Sequence, residues 1–246
     1  MAYPRCAVPS GTKARYRWPK RLFDLVLIGL SAVVWLPVIL CCALAIYVTD
    51  GRPMFYVSRR RVGPGQVIPM VKFRTMVRNA DKFYNRETVP VSNNIRFLNT
   101  PPDSPLYTSV GRLIERFALT EVPQIIHVLR GEMSIVGNRP LPENVIDSLS
   151  EAFPRLPDRL LTPAGMTGPA QLVGREAISD GDRLMLEYTY CCVASEAYSW
   201  VLDLRILIYT VLVSQGLRPA FTVNEVRELM LKHAHCPGSK RRKAAG

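Results

Sequence analysis

Apolar and polar residues alternate along most of this chain in short runs, and the pattern fails once. From Leu25 to Val48 there are 24 residues without a charge, with Pro37 near the centre. Wound as a helix at about 1.5 Å per residue they reach roughly 36 Å, enough for a hydrocarbon core of about 30 Å, so the run predicts a membrane helix. Its polar flanks matter as much. Arg5, Lys13, Arg15, Arg17, Lys20 and Arg21 precede it, and Arg52, Arg59, Arg60 and Arg61 follow it. Cytoplasmic flanks are the ones enriched in Lys and Arg, so both ends are expected on one face of the bilayer. Pro37 offers the bend: it has no N–H and its ring crowds the carbonyl of Val33, which predicts a re-entrant hairpin with two halves of about 12 residues. A spanning helix with a tolerated proline is the alternative. A cleaved signal is disfavoured, because the run exceeds an h-region and no small-residue cleavage site follows.

After Gly51 the period shortens. Met54 to Val57 and Val67 to Val71 are apolar runs separated by Arg59 to Gly65, which predicts a β-hairpin with a basic turn. Strand alternation then puts Lys72 and Arg74 on one side and Phe73 on the other, giving either a phosphate clamp or a solvated edge. Asn79 to Pro105 is polar and proline-marked, a long loop. In Gly111 to Pro140, Thr120 stands before Glu121 and a helical pattern through Ile125, Val128 and Leu129. It is therefore expected to be an N-cap, at a helix start that either attracts phosphate or is simply capped. Leu184 to Tyr198 and Trp200 to Val213 read as helices; the stretch Ile206 to Val213 is too short to span and suits an interfacial or a buried helix. Tyr188, Tyr190, Tyr198, Trp200 and Tyr209 fit an interfacial belt or an ordinary core.

Composition adds a direction. Among 246 residues, 32 basic against 20 acidic leave a net charge of +12, pointing to anionic lipid headgroups or phosphorylated substrates. Nucleic acid is disfavoured, since the basic residues crowd the apolar run and the tail Lys240 to Lys243 without a nucleic-acid module. Beyond the apolar segment there is length for one domain of about 190 residues. The six cysteines, Cys6, Cys41-Cys42, Cys191-Cys192 and Cys236, lack metal-ligand spacing and disulfide geometry, which fits a reducing cytoplasm. His233 to Cys236 reads as a frayed tail before a metal site, and His127 as a structural histidine.

The motifs taken together are more specific. KRLFD at Lys20 to Asp24, RVG at Arg61 to Gly63, KFRTM at Lys72 to Met76, EVPQ at Glu121 to Gln124, GEMS ending at Ser134, RPL at Arg139 to Leu141, TGPAQ at Thr167 to Gln171 and GR at Gly174-Arg175 stand in order. In this the chain resembles the bacterial sugar transferases, the monotopic phosphoglycosyl transferases, from Lys20 to Pro219. The resemblance implies an α/β (α+β) fold: a single small helical domain with a short β-hairpin, an N-terminal re-entrant membrane helix and interfacial amphipathic helices. The expected divisions are a basic segment 1–19, the membrane hairpin 20–50, a cytoplasmic domain 51–219, and a C-terminal helix with basic tail 220–246. The implied activity is transfer of a phosphosugar from a nucleotide diphosphosugar to polyprenyl (undecaprenyl) phosphate at the cytoplasmic membrane, with Mg²⁺ at the diphosphate. Such a step initiates exopolysaccharide, capsule, O-antigen or glycoconjugate synthesis. A homodimer or a partner glycosyltransferase is compatible with all of this.

In that family an aspartate attacks the β-phosphorus and holds the phosphosugar as an acyl phosphate. By the resemblance that position is Thr120 here, followed by Glu121; Glu115 stands where an arginine is usual, Asn138 for a proline, and Pro169 for a tryptophan. A threonine hydroxyl needs a general base, and a threonine phosphoester has a poor leaving group. Two expectations follow. In one, Glu121 is catalytic or binds Mg²⁺, Thr120 lies at the reacting centre, and Lys72, Arg74, Arg139 and Arg175 grip phosphates. In the other, the chain is a non-catalytic relative that binds lipid phosphate or a partner as regulator or scaffold.

Overall fold

The computed structural model describes residues 18–80, 104–174, 178–196 and 198–233. Arg175, most of the polar loop, the basic N-terminal segment and the tail with His235 and Cys236 lie outside the described residues.

The apolar run forms α1, Trp18–Asp50, 33 residues with Pro37 inside it. Residues on both sides of Pro37, the two halves expected, are helical, and the helix assignment runs through the proline without a gap. A proline removes a single i→i−4 bond, and the apolar residues on both sides sustain the rest. Gly51, with φ of +69°, ends it, and the Arg74 guanidinium donates to the carbonyls of Asp50 (2.9 Å) and Gly51 (3.0 Å). A cation there satisfies orphan carbonyls and complements the helix dipole.

Both ends of α1 are docked on the folded domain, and Trp35 and Ile39 in its middle also pack against core clusters, which leaves one face exposed. Lys20, Asp24 and Ile28 are buried near one end and Ile46 near the other, whereas Leu30, Val33, Val34, Leu40 and Leu44 are exposed. Lys20 Nζ pairs with Asp203 Oδ2 at 2.7 Å. Asp24 Oδ1 accepts from Ser134 Oγ and the Ile135 N–H, each at 3.1 Å. Ile46 packs with Phe73 and Ile114.

Strands β1, Phe55–Gly63, and β2, Gln66–Phe73, pair antiparallel with Arg60 opposite Ile68. The hairpin exists as expected, but its turn is Pro64-Gly65 and Arg59 to Arg61 lie within β1. Pro followed by Gly suits a turn needing positive φ at its second central residue, and Gly65 has φ of +66°. Arg60 is thereby turned inward and Arg61 pairs with Glu143 at 2.7 Å. Helix α2 is Ser109–Arg116; a short 3₁₀ turn, Val122–Gln124, runs into α3, Ile125–Leu129. Strands β3, Ser134–Val136, and β4, Gly165–Thr167, pair parallel. Their backbones approach where only glycine fits, since a Cβ on Gly165 would stand 2.1 Å from Gly137 N. Around them close α4, Glu143–Ala152, α5, Asp180–Glu196, α6, Trp200–Ser214, and α7, Val223–Leu231. Val128, Met133, Val136, Leu172, Leu186, Tyr190, Leu202, Ile206, Val226 and Met230 form the centre of the core. Tyr188 and Tyr190 are buried, so they belong to the interior and not to a belt, while Trp200 is exposed.

Candidate active site

Three chain segments converge at the outer end of β2. Phe73 N–H donates to the Thr120 carbonyl at 3.0 Å, which lays the Thr120-Glu121 segment beside Lys72. Helix α2 closes the other side. Its N-terminus is capped by Thr108, whose hydroxyl accepts from Gly111 N–H at 2.9 Å. Gly111 itself lies on the strand extension: a Cβ there would be 1.9 Å from the Thr75 carbonyl oxygen. That close seat fixes where Glu115, one turn further on, can reach.

The Thr120 hydroxyl donates to Glu115 Oε2. Thr120 is therefore not the N-cap expected of it. Glu121 occupies the cap position of the 3₁₀ turn, without a side-chain capping bond, and α3 has only five residues. Pro123 interrupts the donor series, and the hydroxyl is committed to a side chain across the turn. An open helix start for phosphate is not built here.

Glu121 is instead gripped by cations. Arg139 holds it through two bonds, Nη1 to Oε2 at 3.0 Å and Nη2 to Oε1 at 2.5 Å, and Lys72 Nζ lies 3.7 Å from Oε1. The Glu121 charge, aided by Glu115 and Glu187 and opposed by burial, raises the Arg139 pKa above its ordinary value, so the fork stays cationic. Behind it stands a buried scaffold absent from the sequence-based expectations. Arg159 Nη2 donates to the Arg139 carbonyl at 2.6 Å, and its Nε pairs with Glu187 at 2.6 Å, both side chains 2% exposed. Asn138 Nδ2 donates to the Arg159 carbonyl at 2.7 Å. Burial lowers the Arg183 pKa, with Glu187 opposing and Arg139 adding to the shift. No local signal marks Arg159 or Glu187, because their pairing spans 28 residues of chain.

The predicted residues thus divide. Lys72, Thr120, Glu121 and Arg139 come together; Arg74 points away, onto the end of α1. Arg74 lies just past the end of β2, and although its N–H still bonds to the Met54 carbonyl at 2.9 Å, its guanidinium is taken by the carbonyls that end α1. Pro37 lies in α1, remote in sequence from every residue of the cluster. His127 accepts from Val71 N–H through Nε2 at 3.2 Å and faces Glu132 through Nδ1 at 2.6 Å, a bridge between strand and loop. Among the described residues no three His, Cys, Asp or Glu side chains gather as a metal site. Mg²⁺ bound chiefly by substrate phosphates needs only one or two carboxylates, however, and Glu121 and Glu115 flank Thr120.

A bidentate arginine, a lysine and two carboxylates at a partly exposed rim suit a diphosphate and its transfer. Residues 15–216 match the model of the bacterial sugar transferase family. The chain belongs to the bacterial sugar transferase family. It is 31% identical over 198 residues to the exopolysaccharide production protein ExoY of Sinorhizobium fredii, covering 78% of this chain and 83% of that protein. It is 33% identical over 210 residues to the uncharacterized sugar transferase EpsL of Bacillus subtilis, covering 81% and 90%. With the undecaprenyl-phosphate galactose phosphotransferase of Salmonella typhimurium it shares 30% over 207 residues, which is 80% of this chain and 40% of that longer protein. This bacterial sugar transferase is accordingly an enzyme of the phosphoglycosyl transferase class.

Proposed function

We propose that this sugar transferase moves a phosphosugar from a nucleotide diphosphosugar to polyprenyl phosphate, at the inner face of the cytoplasmic membrane, as the first lipid-linked step of an exopolysaccharide or related glycan. The observation that carries the reading is the convergence of Lys72 and the Arg139 fork on Glu121, beside the Thr120–Glu115 pair. Cations held near a carboxylate can exchange it for phosphate oxygens, and fixed positive charge stabilises the equatorial oxygens of a transferring phosphoryl group. The non-catalytic reading gains nothing from relatives bearing phosphotransferase names.

Membrane placement on one face is supported by the docking of both ends of α1. The two termini of α1 pack on one domain whose buried ion pairs, at 2.7 and 2.6 Å, suit water better than hydrocarbon, which favours both termini lying on one side of the bilayer. Apolar side chains left exposed on α2 (Leu113) and at the residue that ends it (Phe117), on α3 (Ile126, Leu129) and on α6 (Trp200, Ile208, Val211) suit an interface beside α1. The long-chain acceptor then reaches the site laterally from the leaflet. Glu121 would be the residue to help hold Mg²⁺, which would supply charge neutralisation at the diphosphate. Within the full reading, Arg175 contributes to phosphate binding as well.

The test uses full-length protein in micelles with UDP-galactose or UDP-glucose and polyprenyl phosphate, following release of UMP. Release that depends on the lipid phosphate and is lost in Arg139→Ala supports the reading. Absence of release with every donor overturns it.

A further inference from the structure

We propose that Arg183, on α5, is a further substrate-binding residue of this transferase, closing with Arg139 on a phosphate oxyanion; the inference rests on the function proposed above. Arg139, Arg159 and Arg183 stand together, and the carboxylates beside them are bonded to two of the three. Glu121 takes the Arg139 fork, through bonds at 3.0 and 2.5 Å. Glu187 takes Arg159 at 2.6 Å, with both side chains 2% exposed. The third guanidinium is left over. The Arg183 side chain makes no hydrogen bond and no ion pair among the described residues, and its Nε is shut off from solvent without an acceptor.

Its place follows from the helix. Asn138 Nδ2 donates to the Glu187 carbonyl at 3.3 Å, which sets that turn of α5 behind Arg139. Arg183 precedes Glu187 by one turn, and residues four apart on a helix share a face. It therefore stands beside Arg159 and Arg139, where burial first, and then both positive charges, hold its pKa down. The acids of its own helix do not pair with it: Asp182 is taken by the Ser179 hydroxyl at 2.7 Å, and the charges of Glu187 and Asp180 only lessen the shift. A guanidinium drawn partly out of water without a counter-charge destabilises the fold, and a bound anion removes that cost. Phosphate suits the gap, because a planar fork grips its oxygens in pairs and two forks can share one tetrahedral group. Once Glu121 gives up the Arg139 fork, one phosphate lies between two guanidiniums. The donor diphosphate and the acceptor lipid phosphate present the same oxygens, so kinetics must tell them apart.

The experiment compares full-length native protein with Arg183→Met, Arg183→Lys and Arg183→Ala in micelles, following UMP release while the UDP-sugar (UDP-galactose or UDP-glucose) and polyprenyl phosphate are varied in turn. Arg183→Met should raise the KM of the substrate that Arg183 holds by about tenfold to a hundredfold, as for one hydrogen bond to a charged group. Arg183→Lys, which keeps the charge without the fork, should fall between. A raised KM for the UDP-sugar assigns the donor diphosphate; a raised KM for polyprenyl phosphate assigns the acceptor. Guanidinium added to Arg183→Ala should restore part of the lost rate. Thermal unfolding without substrate should place Arg183→Met level with the native protein or above it, since the variant removes a cation that nothing offsets. A structural arginine gives the reverse, a lower Tm with neither KM moved. Unchanged KM values for both substrates, or a loss in Arg183→Ala that guanidinium does not restore, overturns this inference and leaves the function standing. Absence of release from the native protein with every donor overturns both.

Discussion

Removing the charge of Lys20 tests the claim that α1 is fastened by buried electrostatics. Lys20 Nζ stands 2.7 Å from Asp203 Oδ2, with side chains 4% and 2% exposed, and Tyr190 donates to Asp203 Oδ1 at 2.8 Å. At an effective dielectric constant of about 20 the attraction is about 6 kcal/mol, of the same order as the cost of drying both groups, so the intact pair adds little net stability. Breaking it is another matter. Lys20→Met keeps the length of the stem but leaves a buried, uncompensated carboxylate, which costs about 3 to 5 kcal/mol. For a domain of this size that is a fall in Tm of roughly 6 to 20 °C. In Lys20→Met with Asp203→Leu, neither charge remains, and the Tyr190 hydroxyl retains the Val136 carbonyl as acceptor at 3.3 Å. The double variant should therefore recover most of the loss. Thermal unfolding of all four proteins in one detergent gives the coupling directly. A Lys20→Met protein within about 1 kcal/mol of wild type, or a double variant as unstable as the two singles added, would refute the reasoning.

Three further outcomes are expected. Gly111→Ala places a Cβ 1.9 Å from a backbone oxygen, so α2 must shift at a cost of about 3 kcal/mol, and UMP release should fall with stability. Arg139→Lys cannot reproduce the bidentate hold on Glu121 or on phosphate, and kcat for UMP release should drop by about 100-fold while the fold, followed by circular dichroism, persists. Burial pushes the Cys191 thiol from 9.0 up to about 11, so the folded state favours its protonated form. That stabilisation is complete below about pH 9 and is lost as pH climbs to 11, a slope worth roughly 2 to 3 kcal/mol that Cys191→Ala should remove in pH-dependent denaturation.

How far the molecule could be read in advance depended on the range of the forces involved. The Leu25 to Val48 run announced α1 because apolar content over two dozen residues is a property of the run itself. The hairpin was legible from two β-rich runs, but its turn was not, since Arg59 to Arg61 are held in β1 by register with Val67 to Pro69. Lys72, Glu121 and Arg139 were found through motif order, and the structure unites them. Thr120 was misplaced as a cap because its partner is a tertiary one, Glu115, and Arg74 was misassigned because the end of α1 takes its guanidinium. Arg159, Glu187 and Asp203 gave no sign, for a buried charge is intelligible only beside its counterion, and Lys20 and Asp203 are 183 residues apart.

That separation bears on biogenesis. A ribosome adding about 5 to 20 residues per second needs roughly 10 to 35 seconds to proceed from Lys20 to its counterion, 183 residues downstream. Throughout that interval the Lys20 ammonium lacks its buried partner and stays hydrated. The clasp closes only once Asp203 has been made, so α1 is synthesised long before it can be locked onto the fold.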